Sequence, residues 1–222
     1  MLLAIDTSTR TAGVALYDGV QVVAETVWVN HGNHTIHLAP VLENTLQRCG
    51  IKAARLQVLA VALGPGSFTA LRIGLALAKG LAFARGLPLI GIPTLDFLAR
   101  AQPLQVYPLV TVLRSGRGRL AVGHYRVNDD AWKPCGEIEV LTVMELSEKI
   151  KQPTLVCGEL TGEERRLLAR KRVNVILASP AQSFRRPSYL AELGWQRWEE
   201  GEVNDPATLS PIYFHPGEKI PG

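Results

Sequence analysis

The chain has 222 residues, enough for one large domain or two small ones with a real core. Hydrophobic residues at 47% and charged residues at 20% describe an ordinary globular protein and exclude a disordered or collagen-like one. The net charge of +4 is spread as eight Lys/Arg against five Asp/Glu in the first hundred residues and sixteen against fifteen in the rest, so charge alone does not imply nucleic-acid binding.

In chain order, "LLAID" (Leu2–Asp6) is an apolar run and predicts a buried strand. "TAGVALYDG" alternates up to the turn signal Asp18-Gly19, and "QVVAETVWV" alternates again, so three antiparallel strands open the chain. A helix follows, capped by Asn33 or Thr35 and stopped by Gly50, with Leu38, Val41, Leu42 and Leu46 at helical spacing. "VLAVAL" (Val58–Leu63) predicts a buried strand, and Gly64–Ser67 a loop. A helix spans Phe68 to Ala84, "PLIGI" (Pro88–Ile92) is a strand, and "TLDFLARA" is a short helix capped by Thr94. Near Pro103 the pattern changes. Val106–Val127 reads as two strands around a tight basic turn. Thr154–Glu159 is a strand, Gly162–Lys171 a charged helix and Val173–Ala178 a strand; Pro187 opens a last helix that Gly201 ends. Both halves thus place antiparallel strands before α/β alternation, which suggests a duplicated two-lobe protein.

Cys49, Cys135 and Cys157 are far apart and form no CxxC, which fits a reduced compartment. Met1-Leu2-Leu3 runs straight into a strand, unlike a signal segment. The stretch Leu71–Ile92 is broken by Arg72, Lys79 and Arg85, short of the ~18 uncharged residues of a membrane span. The expected location is the cytoplasm.

Four constellations could carry chemistry. In "IDTSTRTAGVAL", Asp6 ends a buried strand and Thr7, Ser8 and Thr9 follow. Such a turn can face a phosphate while the acid holds a magnesium-bound water; a hairpin whose hydroxyls bond their own backbone is the plainer alternative. The loop "GPGS" before a helix offers an anion a helix N-terminus, but no lysine opens that helix, so the GxxxxGK[ST] cradle is absent. That helix is apolar on every side, and Ala70, Gly74, Ala78 and Ala82 form one ridge of small residues. Such a ridge lets another backbone approach closely; either the chain's own helix Thr35–Cys49 or a partner chain could cover it. "HGNHTIH" places His31, His34 and His37 at metal-like steps, but without the usual acid between them, so capping and surface polarity are preferred and no metal is assigned. Finally, Arg114, Arg117 and Arg119 crowd the turn in "VLRSGRGRLAV"; Arg114 stands where a second-lobe acid would be expected, and could contact phosphate or RNA or simply line a solvated turn. Arg165–Arg172 reads as a solvated face.

"LLAIDTSTRTAGVALYDG", "NHTIHLAPVLENTL", "ALGPGSFTALRIGLALAKGLAFARGLPLIGIPTLDFLA" and "PIYF" resemble the TsaB (YeaZ) family of the bacterial tRNA threonylcarbamoyladenosine machinery. The likeness covers Leu2 to Ala99 with high specificity and is loose beyond Pro103. It implies an actin-like, sugar-kinase-like α/β fold of two lobes, each with a mixed sheet flanked by helices. The expected division is 1–103 for the N-terminal lobe with the docking helices and 104–222 for a smaller C-terminal lobe, whose last helix could return to the first. It also implies a non-catalytic subunit that pairs with a larger TsaD-type subunit carrying the metal and transferring threonylcarbamoyl to a tRNA adenosine. A TsaE-type ATPase would join, tRNA would be reached through the complex, and the chain alone would form a homodimer. The implied interface is His34, Thr35, Leu38, Leu42 and Thr45 on one helix and Phe68, Ala70, Arg72, Gly74, Leu75 and Ala78 on the other. Asp6, Thr7, Ser8 and Thr9 would be a vestigial phosphate turn with at most weak ATP and magnesium binding. Two positions depart from the family pattern: Ala70 stands for a usual glycine, and Arg114-Ser115-Gly116 for an Asp-Ala-Arg-like segment. The alternatives from other classes are an ATP-using enzyme with Asp6 on magnesium, and a metalloprotease using His31, His34 and His37.

Overall fold

The structure, a computed structural model, describes residues 1–29, 34–171 and 173–213. It divides into two compact units. The first joins Met1–Thr94 to Arg186–Ile212, and the second takes in Leu95–Arg185 and, among the described residues after it, Tyr213.

In the first unit, β1 (Leu2–Asp6), β2 (Thr11–Tyr17) and β3 (Val22–Val29) form an antiparallel meander, and β4 (Val58–Ala62) and β5 (Leu89–Ile92) extend it in parallel, giving the order β3-β2-β1-β4-β5. The period of two divides the side chains between two layers. Leu3, Ile5, Val14, Leu16, Leu59 and Val61 face α1 (His34–Arg48) and α2 (Phe68–Arg85) in one buried core with Leu38, Leu42, Leu75 and Ala78. Gly86 ends α2 in the left-handed conformation that glycine tolerates best.

The other face of the sheet is lined with small residues, Ala4 beside Ala60 and Ala15, and α6 (Pro187–Glu199) lies against it. The approach is close. A Cβ on Gly194 would stand 2.6 Å from that of Ala60, and one on Gly13 would stand 2.9 Å from the Pro187 ring. Trp195 packs edge-on to Tyr17 and Trp198. Arg186 holds Glu25 through Nε and Nη2, and Glu25 in turn accepts from the Ser188 N–H, so β3 fixes the first turn of α6.

The second unit repeats this connectivity. β6 (Leu109–Arg114), β7 (Leu120–Asn128) and β8 (Ala131–Pro134) are antiparallel, β10 (Thr154–Gly158) and β11 (Val175–Leu177) add in parallel, and β9 (Glu139–Leu141) pairs with β7. One face packs on α3 (Thr94–Arg100), whose Leu95, Leu98 and Ala99 meet Leu109, Leu113 and Tyr125. The other packs on α4 (Val143–Lys149) and α5 (Gly162–Ala169) through Val110, Val122, Leu146 and Leu168. Three elements lack a counterpart in the sequence reading: β8, β9 and α4. Asp129 and Asp130 turn β7 into β8 with φ of 48° and 54°, and α4 opens on a capping box between Thr142 and Glu145.

Gly194→Ala should cost about 1–3 kcal/mol, because the added methyl meets a sheet that cannot retreat. Gly162→Ala, with nothing within 4 Å of the new atom, should be neutral or slightly stabilising. Urea unfolding midpoints of the two variants check the contrast.

Candidate functional site

The three parallel strands of the first unit end at one place, and the loops that leave them are tied together there. Asp6, at the end of β1, accepts through Oδ1 from the Ser8 N–H at 2.8 Å and the Ser8 hydroxyl at 2.6 Å. The same hydroxyl lies 2.7 Å from Thr94 Oγ1, which accepts from the Gly64 N–H at 3.1 Å. The Thr94 N–H donates back to the Gly64 carbonyl at 2.7 Å. Asp6, Ser8 and Thr94 are all buried. The turns after β1, β4 and β5 are therefore one hydrogen-bonded unit in a dry setting, where satisfied polar groups hold firmly and unsatisfied ones are costly.

The loop before α2 then closes over the turn. The Ser67 N–H donates to the Ser8 carbonyl at 2.6 Å, and a Cβ on Gly66 would stand 2.0 Å from that oxygen. The Thr7 hydroxyl donates to the Ala70 carbonyl in the first turn of α2. Of the donors this turn could offer a phosphate, the Ser8 N–H and the Ser8 and Thr7 hydroxyls bond within the chain, and the strand-to-helix loop lies against the Ser8 carbonyl. Of the three hydroxyls in "IDTST", that of Thr9 bonds local backbone, accepting from the Thr11 N–H at 3.3 Å; those of Thr7 and Ser8 reach Ala70, Asp6 and Thr94.

This closure decides which way α2 faces. Ala70, Leu71, Gly74, Leu75, Ala78 and Ala82 are buried. A Cβ on Gly74 would stand 2.2 Å from Thr7 Oγ1. The ridge of small residues is thus the seat of the chain's own β1 turn and sheet, which corrects its assignment as the contact surface for a second helix. Of the interface residues named from the sequence, Leu38, Leu42, Thr45, Ala70, Gly74, Leu75 and Ala78 are all buried within the first unit. Thr45 bonds the Val41 carbonyl and lies 3.2 Å from Thr26 Oγ1. Phe68 and Arg72 are exposed, with the Arg72 guanidinium 3.8 Å from the Phe68 ring centroid. His34 and Thr35 open α1, and their side chains lie outside the described residues.

The outward stripe of α2 is instead Phe68, Arg72, Ala76, Gly80 and Phe83, one residue per turn; Phe68 is 51% exposed and Phe83 64%. Among the described residues, nothing lies within 4 Å of a Cβ built on Gly80. Beside it α1 exposes Ile36, Ala39 and Pro40, with Ile36 at 64%. The sequence held this stripe as plainly as the buried one, but period alone does not say which of two small-residue rows faces home.

Of the histidine cluster, His31 lies outside the described residues and His37 is exposed on α1. Among the described residues no group of three His, Cys, Asp or Glu could hold a metal. No described helix is long and apolar enough to cross a membrane.

Arg114 is half-buried and paired. At the end of β6 its Nη1 donates to Glu164 Oε1 at 2.9 Å and its Nη2 bonds Oε2, while its N–H donates to Glu159. Glu159 also bonds the buried Arg185. In the second unit an interlocked set of two arginines and two glutamates fills the position that corresponds to Asp6. Burial pushes the Glu164 carboxyl up, but hydrogen bonds from Arg114 and Thr161 outweigh it and hold the group below its ordinary range. Burial also pushes the Cys157 thiol far up, so it stays protonated.

The family model described as TsaD, tRNA N6-adenosine threonylcarbamoyltransferase, matches residues 22–157. The tRNA threonylcarbamoyladenosine biosynthesis protein TsaB of Bacillus subtilis is 30% identical over 98% of this chain and 95% of its own. The tRNA N6-adenosine threonylcarbamoyltransferase of Streptococcus pyogenes is 41% identical over 38% of this chain and 25% of its own. Among solved structures, YeaZ from Pseudomonas aeruginosa superposes with a TM-score of 0.78 at 24% identity, covering 96% of this chain and 99% of its own. The ethanolamine utilization protein EutJ of Carboxydothermus hydrogenoformans follows at 0.54 and 17%, covering 86% and 89%. The class is therefore that of the actin-like, sugar-kinase-like fold, two mixed sheets flanked by helices. Within it, the chain belongs to the TsaB family of tRNA threonylcarbamoyladenosine biosynthesis proteins.

Ser8→Ala should cost about 1–3 kcal/mol, since it strips Asp6 and Thr94 of a buried partner at once; the urea midpoint reads this. Glu164 gives a pH test. Its folded carboxyl titrates below the ordinary value of 4.5, so its contribution is complete above that value and is lost as pH falls through the lowered one. Glu164→Gln should lose about 1–3 kcal/mol at neutral pH and match the parent in strong acid, by urea unfolding at the two pH values.

Proposed function

We propose that this chain is a non-catalytic, activating subunit that dimerises with a TsaD-type tRNA N6-adenosine threonylcarbamoyltransferase. The observation that carries the reading is the outward stripe of α2. A helix in the first core layer normally turns its polar side to water. Here the exposed side carries Phe68 and Phe83 with Arg72, Ala76 and Gly80 between them, the Arg72 guanidinium lying over the Phe68 ring, and Ile36 of α1 extends it. An apolar stripe with small residues at its centre suits close approach by another helix.

The partner class follows from kinship. The transferase family model matches a segment that spans α1 and α2, and a transferase relative shares 41% identity over 87 residues. Two related subunits can present related helix pairs to one another, and the four helices bury both stripes. Alone, two copies of this chain would pair through the same face. His34, Thr35, Phe68 and Arg72 remain docking residues in this reading, while Leu38, Leu42, Thr45, Ala70, Gly74, Leu75 and Ala78 support the helices from beneath. The subunit supplies surface, not acid, base or metal: Asp6 bonds Ser8, and Arg114 bonds Glu164. A TsaE-type ATPase joins the pair, and tRNA is the substrate of the assembly.

Gly80→Arg and Ala76→Arg place a long charge on the stripe without entering the monomer core. Association with the transferase, read by calorimetry, should weaken about tenfold or more while the melting temperature of the chain holds. Undiminished association in both variants would remove the stripe from the interface and the reading with it.

A further inference from the structure

A second surface lies in the other unit, where the function proposed above makes no use of it. β7 and β8 pair with Arg126 directly opposite Lys133. Directly opposed residues of an antiparallel pair share a face, and like charges placed so repel. Among the described residues, the side chains of Arg126, Lys133 and Lys151 make no hydrogen bond or ion pair. The acid beside this face, Glu139, is engaged by His124 at 3.0 Å and by Lys149. Asp129 and Asp130 sit at the tip of the ribbon, in its turn.

Arg126 also stands between two adjoining cavities, both of which it lines together with Pro108. The first, about 520 Å³, is walled by His124, Lys149 and Lys151 and has no carboxylate in its lining. The second, about 510 Å³, is bordered by Leu104, Val106 and Tyr107, with Asp130 at its edge. Tyr107 is 41% exposed and Val106 93%. Gln105 lines this second cavity, and its buried Nε2 has no hydrogen-bond partner among the described residues. Such an orphan donor calls for an explanation.

We infer that this groove binds an RNA strand, its phosphates on Arg126, Lys133 and Lys151 and a splayed base against Tyr107. The inference rests on the function proposed above, which makes tRNA the RNA concerned. Unpaired cations clustered around Arg126 suit a phosphate backbone, and an exposed aromatic ring in the adjoining cavity offers a base its face. A small anion would use the cations and leave the apolar half of the groove bare. An acidic protein segment would use the charges but not the ring as a stacking platform.

The test is a fluorescence anisotropy titration of a labelled, unmodified tRNA transcript, with the full chain alone and with the chain bound to its transferase. The variants are Arg126→Gln/Lys133→Gln/Lys151→Gln together, and Tyr107→Ala; all four positions carry exposed side chains. The triple variant should bind about tenfold or more weakly, and its log–log salt slope should fall by about two, as three lost contacts to a single strand require. Tyr107→Ala should weaken binding with the slope unchanged. Both should still co-elute with the transferase, which separates this inference from the docking reading: loss of co-elution in Gly80→Arg bears on docking alone. Unchanged tRNA affinity and slope in the triple variant, alone and in the complex, would overturn the inference. So would displacement of tRNA by polyglutamate as readily as by polyuridylate, which would mark the groove as a seat for acidic protein.

Discussion

A single hydroxyl, that of Ser8, is shared between the Asp6 carboxylate and Thr94, and through Thr94 it reaches the Gly64 backbone. Much of the first unit depends on that bond. It fixes the ends of β1, β4 and β5 against one another, and it settles the loop Gly64–Ser67 over the β1 turn. With the loop so placed, α2 begins with Ala70 over Thr7 and runs on with Gly74 against the same side chain. Which stripe of α2 looks outward is therefore decided at its first turn. The turn after β1 thus anchors a helix.

The second unit reaches a similar end with charges in place of hydroxyls. Arg114 and Arg185 interlock with Glu164 and Glu159 at the ends of β6 and β10. Such pairs overcome the cost of leaving water only when their geometry is good and their remaining hydrogen bonds are met. Here Glu164 also closes the capping box of α5 with Thr161, so the ion pair and the helix start are built from the same carboxylate. The two sheets thus share a connectivity but hold their strand ends with unlike chemistry.

Much of this was legible in the sequence, for physical reasons. Buried strands such as Leu2–Asp6 and Val58–Ala62 are uninterrupted apolar runs, and α2 carries its stop in Gly86, so their bounds emerge within a residue or two. What was not legible depends on distant partners. The ridge Ala70–Gly74–Ala78 looks alike whether a foreign helix or the chain's own turn lies on it; only Thr7, far earlier in the chain, tells them apart. Arg114 reads as a solvent-facing charge until Glu164 is beside it. β8, β9 and α4 are short, and too few residues of each are buried to make a period visible. Two local signals stood for them: the paired aspartates at 129 and 130, and the Thr142–Glu145 box.

The first unit is written in two pieces, with Leu95–Arg185 between them. As the chain leaves the ribosome, the five-stranded sheet is made early, but the face carrying Ala4, Ala15 and Ala60 stays bare until α6 follows. The inserted unit has all its strands and both of its cores in continuous sequence, so it can finish while its host waits. The usual order of synthesis, in which the earlier part of a polypeptide matures first, is inverted.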